Sequence, residues 1–182
     1  MPLRPVRIYG DPVLREKARE VREFDDSLRQ LVADLFETMA AYTGVGLAAN
    51  QVGVAQRVFV VDVPREDGSH DVFAAVNPVL DQRTGKAKAE EGCLSMPGIL
   101  ADVDRATRLR LRAFDAQGKP FERVVEGFLA RAVQHETDHL DGVLFTDRLG
   151  PLKRQFLRRD LDALARGEVP ADYHPERGGG AI

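Results

Sequence analysis

Thr107-Arg108-Leu109-Arg110-Leu111-Arg112-Ala113-Phe114 alternates without a break, with Leu109, Leu111 and Ala113 falling to one side of an extended chain and Arg108, Arg110 and Arg112 to the other. Strand side chains repeat every two residues, so this stretch predicts a β-strand with one dry and one wet face. Downstream, Asp115–Pro120 contains Gly118 and fits a hairpin loop into a further strand, Phe121–Glu126. Upstream, the Val-rich Arg57–Val63 and the apolar Val72–Leu80 read as strands as well.

Helical patterns flank these strands. Leu28, Leu31, Val32, Leu35, Phe36 and Met39 recur at three- and four-residue spacing, which predicts a helix over Asp25–Tyr42, capped by Asp25 or Asp26 and stopped by Gly44. A second helix is expected from near Gly127 to Gly142, with Phe128, Leu129, Ala132 and Val133 inward. A third follows Gly150-Pro151, with Leu152, Phe156, Leu157, Leu161 and Leu164 on one face. One helix, several strands and two more helices do not alternate as βαβ units do, so the predicted class is α+β with mostly antiparallel sheets. No repeat or linker divides the chain, and residues 1–169 read as one domain. From Pro170 the polar stretch running into Gly178-Gly179-Gly180 has too little apolar surface to offset its ordering entropy, so residues 170–182 are expected to be disordered.

The chain has 182 residues, 26 Lys and Arg against 29 Asp and Glu, a net charge of −3 and 43% hydrophobic residues. A chain of that length buries about two-thirds of its unfolded surface and needs no disulfide or metal staple to fold. Its single cysteine, Cys93, cannot form an internal disulfide. No apolar run nears the ~20 residues of a membrane span, and Met1–Gly10 lacks the apolar core of a signal peptide, so a cytoplasmic address with a reduced thiol and no membrane partner is expected. The slightly acidic balance lacks the charge footprint of a general nucleic-acid binder and leaves room only for a local basic face.

His135-Glu136-Thr137-Asp138-His139 carries the chemistry. Residues four apart on a helix lie about 40° apart around its axis, so both imidazoles present to one side and suit a single metal ion. Glu136 lies about 60° around from His139, near enough to reach a water on such an ion yet not aimed to ligate it. The alternative is a chance pairing on an amphipathic helix. Cys93 sits in Glu90-Glu91-Gly92-Cys93-Leu94-Ser95-Met96-Pro97-Gly98, an irregular segment between strands. It would complete a Cys-His-His set with a fourth position left for water, which separates catalytic sites from closed structural ones. A lone cysteine is otherwise a small buried hydrophobe. Gly44-Val45-Gly46-Leu47-Ala48-Ala49-Asn50-Gln51 permits close backbone approach and offers the Gln51 amide to a developing oxyanion. From spacing alone, a helix terminator and packed loop is its plainer reading.

Together, Gly44–Gln51, Glu91–Ser95 and His135–His139 resemble the peptide deformylase family, whose ordered signatures G-x-G-L-A-A-x-Q, E-G-C-L-S and H-E-x-x-H stand here intact. The likeness runs from Ile8–Arg15 through Pro151-Leu152-Lys153 and leaves only the tail outside. It implies a metal-dependent hydrolase that removes the N-formyl group from the formylmethionine of newly synthesised polypeptides and releases formate, its H-E-x-x-H helix central to the α+β fold. It implies Cys93, His135 and His139 as metal ligands, Glu136 as general acid/base, and Gln51 with the Leu94 backbone N–H as oxyanion donors. It also implies Fe(II) in the cell, with zinc, nickel or cobalt as substitutes; the ligand types alone suggest zinc or iron.

An extended peptide laid along Val45-Gly46 and a methionine pocket near Phe128 and Ala132 are expected, with plain core packing the alternative for those last two. Some family members carry an Arg shortly after the Cys motif that contacts the peptide backbone, whereas this chain reads Gly98-Ile99-Leu100, which leaves contacts beyond the methionine open. Arg105 is expected to pair with Glu91 and brace the Cys93 segment. The last helix, bearing Lys153, Arg154, Arg158, Arg159 and Arg166, suits docking on the ribosome as in some relatives; an ordinary solvated face is the alternative. A zincin-type endopeptidase also uses H-E-x-x-H but takes its third ligand downstream, not from an upstream Cys. A non-catalytic scaffold is the other rival, and intact Glu136 and Gln51 argue against it.

Overall fold

The computed structural model describes residues 3–170. Its strands are β1 (Gly46–Ala48), β2 (Val58–Pro64), β3 (His70–Thr84), β4 (Ala87–Glu91), β5 (Ala101–Arg105), β6 (Arg108–Phe114) and β7 (Pro120–Glu126). Its helices are α1 (Asp26–Ala41), α2 (Gly127–Leu140) and α3 (Pro151–Ala165). Five strands form an antiparallel sheet in the order β1-β2-β3-β6-β7, and β4 pairs with β5 in a separate antiparallel hairpin.

The sheet is sandwiched where β2 crosses it. Phe59, Val61 and Val63 point to a core shared with Leu109, Leu111 and Ala113 of β6 and Ala130, Val133 and Leu140 of α2. Val58 and Val60 point the other way, onto Leu28, Leu31, Val32, Leu35 and Met39 of α1. A strand with both faces dry must read as a continuous Val-rich run, as this one does. β6, covered on one side only, shows the expected alternation, and its outer arginines meet Asp81 of β3, Arg110 Nε at 2.7 Å and Arg112 Nη2 at 3.1 Å. α1 starts where its cap predicts, with the Asp25 carboxylate accepting the Leu28 N–H at 3.0 Å. It ends through Thr43, not Gly44, in the left-handed region at φ 52°, while the Gly44 N–H returns to the Met39 carbonyl at 3.0 Å. β3 outruns the predicted Val72–Leu80, and its pairing with β6 shifts between Val76 and Val79. Pro78, which has no N–H for a ladder, lies in that interval.

Two helices depart from their expected faces. Phe128 is 44% exposed rather than inward, because at 100° per residue it lies about 140° around α2 from Val133. On α3, Leu157, Leu161 and Leu164 pack on the third core, with Met96, Ile99, Val103, Leu144, Phe145 and Leu149. Leu152 and Phe156 do not share that face: they are 67% and 77% exposed, about 140° and 100° around from Leu157. The hairpin β4–β5, strand β1 and the 3-10 turns Pro12–Arg15, Ala49–Val52 and Phe145–Arg148 are additions to the predicted elements. Among the described residues no helix is long and apolar enough to cross a membrane. The expected tail, residues 170–182, lies outside the described residues except for Pro170.

Candidate metal centre

Three separate pieces of chain converge on one buried point. α2 is dry on all sides from Ala130 to Leu140, with the sheet against its Val133 side and the β4–β5 hairpin against its His135 side. The segment joining β4 to β5 carries Cys93, and two turns fix it, Met96 N–H to the Cys93 carbonyl at 2.9 Å and Ile99 N–H to the Met96 carbonyl at 3.1 Å. β1 and the turn after it carry Gln51. The N-terminal extended stretch ties the last two together, Arg7 N–H donating to the Gln51 carbonyl at 2.7 Å and Tyr9 N–H to that of Ser95 at 2.8 Å.

Cys93, His135 and His139, all buried, each bring one ligand atom to within 4.8 Å of the others. Cys93 Sγ lies 3.2 Å from His139 Nε2. His135 Nδ1 is 3.0 Å from Glu91 Oε2, which assigns the Nδ1 proton to that bond and leaves Nε2 a bare lone pair, buried and without a hydrogen-bond partner. An orphaned lone pair in a dry place is costly unless something electron-poor receives it. Burial pushes the Cys93 thiol up, with the Glu136 charge adding to the effect, and pushes His139 well below its usual value, with His135 adding. A divalent cation reverses the first of these costs, since a coordinating thiol ionises outright, and neutral imidazole is the form that ligates. One sulfur and two imidazole nitrogens therefore fit a borderline-soft divalent ion, with fewer protein donors than a closed structural site uses.

Glu136 lies beside this cluster, fully buried, with neither carboxylate oxygen hydrogen-bonded. Burial, then the Glu91 charge, raises its pKa well above the ordinary carboxyl value. Gly46 makes room for it: a Cβ at residue 46 would stand 2.4 Å from Glu136 Oε1. Gln51 accepts the Ala48 N–H on Oε1 at 2.8 Å, which turns its amide nitrogen toward Ser95 Oγ at 3.2 Å and Cys93 Sγ at 3.5 Å. Leu94 is buried next to Cys93, its Cδ1 lying 3.0 Å from where a Cβ of residue 44 would be. The structure thus brings Cys93, His135, His139, Glu136, Gln51, Leu94 and Gly46 together. Val45 is half-buried, its carbonyl accepting the Asp62 N–H at 2.9 Å; Ala132 is buried and Phe128 exposed.

Arg105 does pair with Glu91, Nε to Oε1 at 2.8 Å and Nη2 to Oε2 at 3.0 Å. Desolvation opposes the Glu91 charge, yet the His135 and Arg105 hydrogen bonds hold its pKa well below the carboxylate range. Sequence reasoning missed the rest of this network. Arg105 Nη1 also reaches Asp138 Oδ2 at 2.5 Å, Arg148 Nη2 caps Asp138 Oδ1 at 2.6 Å, and Arg131 Nη1 reaches Glu91 Oε1 at 2.8 Å. Asn50 donates to the His139 carbonyl.

A family model for polypeptide deformylase matches residues 3–155. The peptide deformylase of Alkalilimnicola ehrlichii is 49% identical over 166 residues, which cover 91% of this chain and 93% of that protein. Among solved structures, the Thermus thermophilus peptide deformylase is similar with a TM-score of 0.85 at 42% identity, covering 91% of this chain and 99% of that one. The Ehrlichia chaffeensis peptide deformylase in complex with actinonin gives 0.84 at 36% identity, covering 92% and 99%. Enzymes of this kind remove the N-formyl group from the N-terminal methionine of nascent polypeptides. By fold, by sequence along nearly the whole length of both partners and by its buried thiol and imidazole cluster, the chain belongs to the polypeptide deformylase family.

Proposed function

We propose that the chain deformylates nascent polypeptides with Cys93, His135 and His139 as ligands of one divalent ion and Glu136 as the group that moves the proton. The observation that carries this reading is the position of a buried, unpartnered carboxylate beside three donor atoms within 4.8 Å of one another. When bound, the ion supplies Lewis acidity to the attacking water and the formyl oxygen. Glu136 takes the proton that water sheds as its oxygen joins the formyl carbon, and delivers it to the amine nitrogen as the C–N bond breaks, leaving formate and a free N-terminus. Gln51 Nε2 and the Leu94 N–H would steady the charge that gathers on the formyl oxygen.

Substrate is expected along β1, which ends the sheet order and, among the described residues, pairs with β2 alone. A formylated peptide adding to Val45-Gly46 by backbone hydrogen bonds would be held without reading its sequence. Phe128 and Ala132 stand at four-residue spacing from Glu136 on α2, which supports a methionine pocket near them. Replacing Glu136 by Ala tests the core of the reading: metal content should stay near one equivalent while formate release from formyl-Met-Ala-Ser drops by about 10²–10⁴-fold. Retained turnover would remove Glu136 from its role.

The ion we infer is Fe(II), with Zn(II), Ni(II) or Co(II) able to replace it. Metal analysis after anaerobic purification, with activity titrated against iron, tests this, and activity that tracks zinc alone would refute it. Residues 1–169 act as a single catalytic domain, with a cytoplasmic address. The exposed basic residues of the last helix, Lys153, Arg154, Arg158, Arg159 and Arg166, with Leu152 and Phe156 exposed beside Lys153 and Arg159, support docking on the ribosome. Co-sedimentation with ribosomes should weaken as salt rises; its absence would leave that face an ordinary solvated one.

A further inference from the structure

On the side of α2 that faces the β4–β5 hairpin stand Arg131, His135 and Asp138, within about 60° of one another at 100° per residue. The hairpin meets them with Glu91 and Arg105. A carboxylate offers about four lone-pair sites, and Glu91 receives four donors. Oε1 accepts Arg105 Nε and Arg131 Nη1, each at 2.8 Å, and Oε2 accepts Arg105 Nη2 and His135 Nδ1, each at 3.0 Å. Arg131 alone among these also grips the backbone of both hairpin strands. Its Nη1 donates to the Val103 carbonyl at 2.9 Å and its Nη2 to the Ala87 carbonyl at 2.8 Å. It is 6% exposed, a full charge placed in the interior of the helix that carries both histidines.

We propose that Arg131 is a positioning residue of the metal centre. By filling the last acceptor site of Glu91 it leaves that carboxylate one orientation, which fixes where the Nδ1 proton of His135 points and hence where Nε2 faces. By pinning β4 and β5 to α2 it fixes the distance between Cys93, which the hairpin carries, and the histidine pair. Arg105 also ties the hairpin to α2, through Asp138, but it does so by side chains alone, whereas Arg131 holds the backbone of both hairpin strands directly. The inference rests on the proposed ligand set, and it predicts an effect on metal holding that is separable from turnover.

The test is cobalt affinity of the full chain, measured by competition with EDTA, together with urea unfolding of the same samples. Arg131→Met keeps the aliphatic stem and removes every donor. It should bind Co(II) about 10–100-fold more weakly, the usual loss for groups that orient a ligand. Arg131→Lys, which keeps the charge but cannot reach Glu91 and both carbonyls at once, should fall between and carries the test should Arg131→Met not fold. Two controls separate positioning from general loosening. Arg108→Met breaks an exposed pair with Glu126, and Val32→Ala opens a small cavity under α1. Both should keep cobalt affinity within about twofold of the original chain, since neither touches the ligands or their partners. Affinity of the Arg131 variants equal to the original would overturn the proposal, as would an equal loss in Val32→Ala at matched stability. Failure of the unaltered chain to take up cobalt would instead refute the ligand assignment itself.

Discussion

Gly46→Ala adds one methyl group at the most crowded contact in the catalytic region. The new Cβ would lie 2.4 Å from Glu136 Oε1, 2.9 Å from its Cδ and 3.0 Å from its Cγ, where ordinary contact begins at 3.4 Å. Gly46 is absent from the positive-φ residues, so Ala costs nothing in backbone strain there and the effect is purely steric. β1 is pinned, Gly46 opposite Val61 and Leu47 opposite Val60. The Glu136 side chain is the softer partner, and it must retreat by about 1 Å. A displacement of that size at a reacting group can cost about 10²-fold, or about 2.7 kcal/mol of transition-state stabilisation. Steady-state kinetics of formate release on formyl-Met-Ala-Ser should therefore show kcat falling about 100-fold with metal content unchanged. Global stability should drop by only about 1–3 kcal/mol, as for other overpacked sites. The KM–kcat split discriminates the causes: a rise confined to KM would mean that the methyl obstructs the peptide along β1 and leaves Glu136 in place. A kcat within threefold of the unaltered enzyme would refute the argument that Gly46 exists to seat this carboxylate.

Two further outcomes concern stability. Desolvation opposes the Asp147 charge, but the Arg15 and Leu144 N–H hydrogen bonds, 2.5 Å and 2.9 Å, win and lower its pKa. A carboxyl whose folded pKa is depressed contributes stability above its unfolded value near 4 and loses it as pH falls through the folded value. Asp147→Asn should thus lower the urea midpoint at pH 7, and the gap to the original chain should close as pH falls below about 4; a gap that persists at pH 2 would contradict the charge-based account. Leu35, at 0% exposure between α1 and β2, should cost about 2–5 kcal/mol on truncation to Ala, with little change in kcat. A thermal or urea shift below 1 kcal/mol would mean that this core yields and refills.

What the sequence made legible follows from which forces leave a periodic trace. The strand Arg108–Phe114 and helix α1 were readable because one face of each is dry and the other wet, so burial alternates along the chain. The candidate ligands were readable because the spacing of His135 and His139 on a helix and the signature around Cys93 are local. The β4–β5 hairpin was not, since Ala87-Lys88-Ala89-Glu90-Glu91 has almost no apolar side chains and is held by backbone pairing with β5 and by the arginine of a distant helix. Leu152 and Phe156 misled in the opposite direction, their apolar character suggesting a buried face that helical geometry does not allow them to share with Leu157. Charge is the harder case. Periodicity assigns every Arg and Asp to water, and Arg131 and Asp138 are buried because Glu91 and Arg105 arrive opposite them from more than 25 residues away in sequence. One local sign of this was present: the side of α2 away from Val133 carries His135 together with Arg131 and Asp138, so a helix whose charged face carried buried histidine ligands could not turn that face to solvent. Buried histidine ligands imply a buried neighbourhood, and charges within it require partners of opposite sign whose removal should disturb the ion before it disturbs the fold.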